Sequence, residues 1–345
     1  MPEYKRPINS QDYWEQRSLE VSDKIWNDTD KIEKEMAMQF RLAQEDIKKE
    51  IVDFITRYGK ENRMTYDEAI IQLTTGERAS LVARIQRIQQ RIMANPNASQ
   101  SLKAEIQKIV AKLQFDRLNG LLALLEIRTA ELSEELFVLT QAHLASVYAE
   151  SYYQTLYSVD SVIAGATFVA LNEDVIQKAI TYRWSGEQFS ERIWQNRELL
   201  VKEMRQTVTQ GLIQGTSTQK MTRELVGKLD NSYFNVNRVV RTETAFVLNE
   251  GANDGYEKSG VVKEYLFIAT LDKRTSSVCG SLDDKVFKMK DRQIGLNAPP
   301  MHPFCRSTTA PYFGALPTMR RAREGAENEV IEYQTYEEWK RSNGI

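Results

Sequence analysis

The longest regular pattern in this sequence is an apolar stripe near its start. Over residues 10–58, apolar side chains recur at steps of three, four or seven, with charged residues between them. The stripe comprises Trp14, Val21, Ile25, Ile32, Met36, Phe40, Ile47, Ile51 and Phe54. This spacing predicts one long amphipathic helix. At about 1.5 Å per residue it would extend about 70 Å, which is more than a compact domain needs. We therefore expect a partner protein or a second copy of the chain to cover part of the stripe.

Helical spacing continues through the rest of the first half of the chain. The segment "TGERASLVARIQRIQQRIM" predicts a helix that ends at an Asn-Pro-Asn turn, and residues 101–130 and 131–157 predict two more. Long helices with narrow apolar stripes pair as hairpins or bundles. Residues 1–160 are therefore predicted to form an elongated region of long helices.

The second half of the chain has shorter apolar rows and the first strand patterns. The rows at residues 200–212, 221–229 and 239–256 predict three short helices. Beyond Gly260, alternation over residues 262–268 and the segment "KVFKM" predict two strands. We therefore expect an α+β fold that is mainly α, with a compact domain at 161–316 made of helices and a small β-sheet. Residues 317–345 are predicted to be a charged tail ending in a short helix.

The composition excludes several classes of protein. The 46 basic and 48 acidic residues give a net charge of -2, so any contact with nucleic acid would have to be local. Two cysteines in 345 residues favour a reducing compartment. We also expect no signal peptide, no membrane-spanning helix and, because glycine-rich phosphate loops are absent, no nucleotide cofactor.

The segment "MHPFCRSTTAPYFG", residues 301–314, contains one of the two histidines and one of the two cysteines. Together with Cys279, His302 and Cys305 offer the soft ligands that zinc prefers, and Asp283 or Asp272 could complete a tetrahedron. A cysteine nucleophile with a histidine base is a second interpretation. The third, a structural corner fixed by Pro303, is favoured, because a structural zinc site would need a fourth ligand.

Two Arg-Thr pairs mark a second candidate cluster. "RTETAFVLN" contains Arg241 and Glu243, and "LDKRTSS" contains Asp272, Arg274 and Thr275. We expect Arg241, Glu243, Asp272 and Arg274 to form a buried charge network that pins a helix to the sheet, because an unpaired buried guanidinium is costly. The alternative is a transferase site of the ADP-ribosylating type, but its Arg, Ser-Thr-Ser and Glu-x-Glu elements are not laid out in this sequence.

The order of the motifs is more informative than any single motif. "RWSGEQFSERIWQN", "LIQGTSTQKMTREL", "VVRTETAFVLNEG", "IATLDKRTSSVCGSLDDKVF" and "PPMHPFCRSTTAPY" follow one another over residues 165–315. This order resembles the phage head morphogenesis family named after the F protein of phage Mu. The positions that match its closing pattern are Asp272, Arg274, Thr275, Cys279, Leu282, Asp283, His302, Pro303, Cys305 and Arg306. Ser276 and Ser307 replace cysteines of that pattern, and Asp284 replaces a glycine.

The resemblance implies a minor head protein of a tailed bacteriophage rather than an enzyme. Such proteins associate with the portal or inner capsid, enter the procapsid during assembly in the host cytoplasm, and in some phages leave with the DNA. The implied partners are the portal and other head proteins, packaged DNA, and further copies bound through the N-terminal helices, with no membrane and no cofactor. The alternatives are an ADP-ribosyltransferase-type enzyme or toxin, and a helical adaptor that binds nucleic acid through Arg84, Arg87 and Arg91.

Overall fold

The computed structural model describes residues 11–161, 168–314 and 336–345. That part of the chain is mainly helical with one small sheet, which confirms the predicted fold class. The helices are α1 (Gln11–Tyr58), α2 (Tyr66–Ala69), α3 (Thr75–Ala94), α4 (Gln100–Ala111), α5 (Arg117–Asp160), α6 (Glu173–Ile180), α7 (Phe189–Ile213), α8 (Thr218–Ser259), α9 (Ser277–Leu282) and α10 (Tyr336–Ser342). The strands are β1 (Glu264–Ile268), β2 (Val286–Lys288) and β3 (Thr308–Tyr312), and a 3-10 turn spans Met289–Asp291. None of the described helices is long and apolar enough to cross a membrane.

The chain divides into two compact units, each made of segments that are distant in sequence. Unit 1 takes the described residues of Met1–Lys31, Gln141–Gln188 and Arg238–Ile345. Unit 2 takes Ile32–Thr140 and Phe189–Asn237. The division therefore does not fall at residue 160, where the change in sequence pattern placed it. Helices α1, α5 and α8 each contribute residues to both units. Each unit therefore combines segments that are distant in sequence.

The apolar stripe of α1 is buried within the chain. Seven of its members are at most 8% exposed: Trp14, Ile25, Met36, Phe40, Ile47, Ile51 and Phe54. In unit 1, Trp14 packs in a core cluster with Val159 and Tyr256. In unit 2, the ring of Phe40 lies 5.4 Å from that of Tyr233. Burial of these seven side chains within the chain removes the reason for expecting that a partner or a second copy covers them.

Helix α8 replaces two of the predicted short helices. Its 42 residues join the apolar row that includes Leu229 to the row that ends at Tyr256. Val236 is buried between these rows, and with Val240 at the start of the second row it keeps the helical spacing across the polar segment "DNSYFNVNR". Polar residues alone do not end a helix, and no glycine or proline falls in this segment.

The three strands form an antiparallel sheet in the order β2-β1-β3. Central strand β1 pairs Tyr265 with Phe287 on one side and with Pro311 on the other. Strand β3 is a third strand beside the two that the sequence predicted, and Pro311 lies within it. A proline lacks the amide hydrogen that a central strand needs, but it is tolerated in an edge strand such as β3.

The C-terminal helix α10 is anchored rather than free. Trp339 is buried against Tyr157, with ring centroids 5.8 Å apart, and its indole Nε1 donates to Asp160 Oδ2 at 2.9 Å. The predicted charged tail at 317–345 therefore ends in a packed helix. Its residues 317–335 lie outside the described part of the chain.

In unit 1, α5 and α8 approach each other at glycines. A Cβ at Gly251 would lie 2.5 Å from the backbone oxygen of Tyr148, and a Cβ at Gly255 would lie 2.9 Å from Thr155. Real Cβ atoms do not come this close to a backbone oxygen. The two helices can therefore contact each other only because these positions lack a side chain.

We predict opposite effects for two glycine substitutions in α8. Gly251→Ala should lower the free energy of unfolding by about 1–3 kcal/mol, because the helices must separate. Gly227→Ala should raise it by about 1 kcal/mol, because nothing lies within 4 Å and alanine favours the helix. Thermal and urea unfolding of both variants checks the pair. Equal effects would show that α5 and α8 do not pack closely at Gly251.

His143 on α5 is buried between two threonines. Its Nε2 lies 3.3 Å from Thr29 Oγ1 of α1 and 3.1 Å from Thr244 Oγ1 of α8. Burial lowers the pKa of His143 from 6.5 to about 4, although the Asp28 charge partly offsets this shift. The side chain is a neutral hydrogen-bonding group in the core.

We predict that His143 makes the protein less stable as the pH falls from about 6.5 to about 4. In that range the imidazole of the unfolded chain binds a proton that the folded chain excludes. The full contribution of His143 to the free energy of unfolding therefore exists only above the pKa of the histidine in the unfolded chain. The loss should be on the order of 2 kcal/mol at the acid end. Urea unfolding of the parent and of His143→Gln at a series of pH values measures the difference. Parallel profiles would contradict the predicted burial of a neutral imidazole.

Candidate functional site around Cys279, His302 and Cys305

The corner that carries His302 and Cys305 immediately precedes β3, and Cys279 lies on the short helix α9 after β1. Helix α9 begins at an N-cap, Ser276, whose side chain accepts a hydrogen bond from the backbone nitrogen of Cys279 at 3.1 Å. In the corner, the Cys305 nitrogen donates to the His302 carbonyl oxygen at 3.1 Å. These local bonds fix the backbone from which all three side chains project.

The structure brings the three predicted metal-ligand residues together. Cys279 Sγ lies 3.2 Å from His302 Nε2 and 3.8 Å from Cys305 Sγ, and all three ligand atoms lie within 4.8 Å of one another. Both cysteines are buried, and no disulfide joins them. No carboxylate joins this group among the residues that the structure describes.

The two aspartates proposed as a fourth ligand make other bonds. Asp283 Oδ1 accepts from the Ala269 nitrogen at 2.7 Å, and both oxygens of Asp272 accept from Arg306. The expectation that either carboxylate completes a tetrahedron is therefore wrong. Sequence spacing places an aspartate near the site but does not show which donor occupies its oxygens.

His302 is oriented by its own backbone. Its Nδ1 lies 2.8 Å from the Pro303 carbonyl oxygen, which can only accept a hydrogen bond. In the neutral ring Nδ1 therefore carries the hydrogen, and Nε2 presents its lone pair toward Cys279. A metal-binding histidine is usually held in this way, with its second nitrogen donating to a carbonyl or carboxylate.

The environment of Cys305 does not suit a nucleophile. Burial raises the pKa of the Cys305 thiol, although hydrogen bonds from the Met301 and Ser307 backbone partly oppose that shift. Catalytic cysteines need a lowered pKa so that the thiolate is populated. The cluster thus offers soft ligands for a cation, and Cys305 itself is a poor candidate for a nucleophile.

A row of polar side chains on α8 holds the corner and β3 in place. Thr242, Asn249 and Tyr256 are spaced by seven residues and are all buried. Thr242 Oγ1 accepts from the Phe304 nitrogen at 3.2 Å, Asn249 Nδ2 donates to the Ser307 oxygen at 3.2 Å, and the Tyr256 hydroxyl donates to the Thr309 oxygen at 3.0 Å. Sequence reasoning missed this role, although the seven-residue spacing of the three was visible.

Two left-handed residues shape the loops at the site. Phe304 has φ of 60° and Asp284 has φ of 63°. Asp284 stands where the family pattern has glycine, and the left-handed backbone explains why glycine suits that position. Aspartate tolerates this conformation better than most other residues, so the fold survives the replacement.

The predicted four-residue charge network is wrong. The Arg274 side chain is 79% exposed, and its nearest nitrogen is 3.8 Å from Asp272. Arg306, 34 residues further along, instead binds both oxygens of Asp272 at 2.7 Å. Thr275 stabilises the turn that contains Asp272, since its Oγ1 accepts a hydrogen bond from the Asp272 nitrogen and donates one to the Thr270 oxygen.

The α8 members of that network bond to other parts of unit 1. Arg241 pairs with Asp30 at 3.1 Å and lies over the ring of Trp26. Buried Glu243 accepts from Trp184 Nε1 at 2.9 Å. Residues two apart on a helix face different directions, so Arg241 and Glu243 were poor candidates for one cluster.

We predict a pH-dependent contribution from the Arg306–Asp272 pair. Hydrogen bonds from Arg306 hold the pKa of the Asp272 carboxyl well below its usual range. The contribution of the pair to the free energy of unfolding is therefore present above about pH 3.9, the pKa of an aspartate in the unfolded chain. It is lost as the pH falls through the lower pKa of Asp272 in the folded protein. Arg306→Met should be less stable than the parent at neutral pH, and the gap should narrow in acid.

Arg274→Ala is the matched control for this prediction. It keeps the backbone hydrogen bond from residue 274 to Asp272, and an exposed side chain contributes within about 0.5 kcal/mol. Urea unfolding of the parent and the two variants from about pH 7 to about pH 3 measures both effects. A larger loss in Arg274→Ala than in Arg306→Met would contradict the assigned pairing.

Comparisons with known proteins bear on this region. The chain is 23% identical over 294 residues to NAD(+)-arginine ADP-ribosyltransferase EFV of Enterococcus faecalis, and the match covers 80% of this chain. The chain spans only 58% of the length of that relative. No solved structure matches the chain.

The family model described as phage Mu protein F like protein matches residues 202–310. This stretch contains all of α8, the cluster of Cys279, His302 and Cys305, and the Arg306–Asp272 pair. It also lies within the part of the sequence whose motif order suggested the resemblance. Residues 202–310 are therefore a phage Mu F-like region, and the resemblance that the motifs suggested is confirmed.

Proposed function

We propose that the chain is a structural minor head protein of a tailed bacteriophage. The observation that carries the proposal is the match of residues 202–310 to the phage Mu F-like family. In this role the protein enters the procapsid during assembly, contacts the portal or the inner capsid, and remains in the virion. Because the stripe of α1 is already buried, the docking surface for the portal is expected on other residues.

An ADP-ribosyltransferase is the second candidate, because a relative carries that name. The alignment leaves 42% of the relative outside the match, as 58% of its length is covered. We infer that the transferase activity named for the relative resides in its unmatched part. This inference is supported by the candidate site, whose cluster consists of two thiols and an imidazole, while Glu243 accepts a hydrogen bond from Trp184.

The helical adaptor is the weakest of the three candidates. In unit 2, Arg84 forms a two-pronged pair with Glu50, and Arg91 pairs with Glu131. Arg84 and Arg91 therefore each have their charge offset by a carboxylate of the same chain, whereas Arg87, the third arginine of this candidate, donates to the Ala83 oxygen. A binding face for nucleic acid instead needs cations that are available to displace counterions from phosphates.

Mass spectrometry of phage particles tests the head role. Procapsids and DNA-filled heads should be purified from a lysate of the phage or prophage that encodes this chain. We expect its peptides in both particle types, at a small fraction of the major capsid protein. Peptides that occur in the lysate but in neither type of particle would contradict the proposal.

An NAD hydrolysis assay tests the enzymatic alternative. The purified chain is incubated with NAD and agmatine, a small arginine analogue, and released nicotinamide is measured against a heat-inactivated sample. We expect no release above that control. Release that increases with protein concentration and is lost in Glu243→Gln would show that this chain is itself a transferase.

A further inference from the structure

We propose that Cys279, His302 and Cys305 bind one Zn²⁺ ion, with a water molecule as the fourth ligand. Thiolate sulfur and imidazole nitrogen are the ligands that zinc prefers, whereas magnesium and calcium prefer oxygen. A role in the phage head does not require a metal. The proposal therefore goes beyond the proposed function, and a failure of either one leaves the other standing.

Two of the three distances between the ligand atoms are close to those expected around a tetrahedral zinc ion. With Zn–S bonds of about 2.3 Å, two sulfur ligands lie about 3.8 Å apart, and a sulfur and a nitrogen lie about 3.6 Å apart. Cys279 Sγ and Cys305 Sγ are 3.8 Å apart, and Cys279 Sγ and His302 Nε2 are 3.2 Å apart. A small rotation of the imidazole ring adds the missing few tenths of an ångström.

The backbone around the three residues is arranged before any ion binds. The Pro303 oxygen orients the imidazole, and Ser276 caps the turn that carries Cys279. On the other side, Thr242 and Asn249 of α8 bond to the backbone on either side of Cys305. Ordering flexible ligands costs conformational entropy, and this cost reduces the affinity for a metal. The supporting hydrogen bonds order the ligands in advance and so lower that cost.

Water is assigned as the fourth ligand because the described part of the chain supplies only three. Asp272 and Asp283 are bonded to Arg306 and to the Ala269 nitrogen. Binding releases two thiol protons, so two thiolates, a neutral imidazole and Zn²⁺ form a site with no net charge. Neutrality suits the buried position of Cys279 and Cys305, since an unbalanced buried charge is costly.

The ion would join two segments that are far apart in sequence. Cys279 precedes His302 by 23 residues and Cys305 by 26. A bond network across this loop restricts the unfolded chain and stabilises the folded one. Removal of zinc should therefore lower the melting temperature of the protein.

Elemental analysis of the untagged full-length chain is the primary test. Protein purified from cytosol in the presence of a reductant should contain about one zinc per chain. Adding a strong chelator should remove it and should make both thiols react with a thiol reagent. Apoprotein given Co²⁺ should develop the visible absorption of a tetrahedral cobalt site and the charge-transfer band of thiolate ligands.

Three variants and one control locate the site. Zinc content should fall below about one tenth of an ion per chain in Cys279→Ser and Cys305→Ser, and His302→Ala should bind zinc more weakly. Ser281→Ala, on the exposed side of α9, should keep its zinc. If a cysteine variant fails to fold, the cobalt spectrum and thiol protection of the parent still decide the question.

Four results would overturn the proposal. The first is reduced protein that neither contains zinc nor takes it up from an equimolar solution, and the second is full zinc retention in a variant that carries both Cys279→Ser and Cys305→Ser. The third is a Cys279–Cys305 disulfide in freshly isolated protein, and the fourth is a stoichiometric metal other than zinc.

Discussion

The site depends on one interaction, the attachment of the chain segment before and within β3 to a single face of α8. Thr242, Asn249 and Tyr256 rise along the helix at intervals of seven residues and bond to residues 304, 307 and 309 in the same order. An extended segment gains about 3.3 Å per residue and a helix about 1.5 Å, so the five residue steps from 304 to 309 match about eleven helical residues, somewhat fewer than the fourteen that separate Thr242 from Tyr256. Cys305 lies inside this attached segment, and His302 lies just before it.

This attachment explains why two motifs of the Mu F-like pattern occur in the same chain. The motifs "RTETAFVLN" and "HPFCRSTT" belong together because the first supplies the side chains that hold the backbone of the second. The two serines at cysteine positions of the pattern have bonds of their own: Ser276 caps α9, and the Ser307 hydroxyl hydrogen-bonds to the Cys305 thiol. A corner that has lost two thiols therefore keeps both its fold and three soft ligands.

Sequence reasoning succeeded where structure is determined locally. The period of the α1 stripe predicted a helix over almost its full observed length. The residue types of Cys279, His302 and Cys305 suggested a metal site as one of three interpretations, and the three side chains lie together. Sequence reasoning failed where contacts between distant segments determine the structure. Each unit combines segments that are distant in sequence, and the partner of Asp272 is Arg306 rather than the nearer Arg274. A side chain's neighbours in sequence do not reveal which distant donor will reach it.

The claim that α8 holds the corner is tested most directly by hydrogen exchange. Deuterium uptake of peptides covering residues 301–312 and of α8 should be followed in the parent and in Asn249→Leu. The account predicts that both regions are protected in the parent, and that the substitution speeds exchange in 301–312 much more than in peptides of unit 2. Rapid exchange of 301–312 in the parent while α8 stays protected would contradict it.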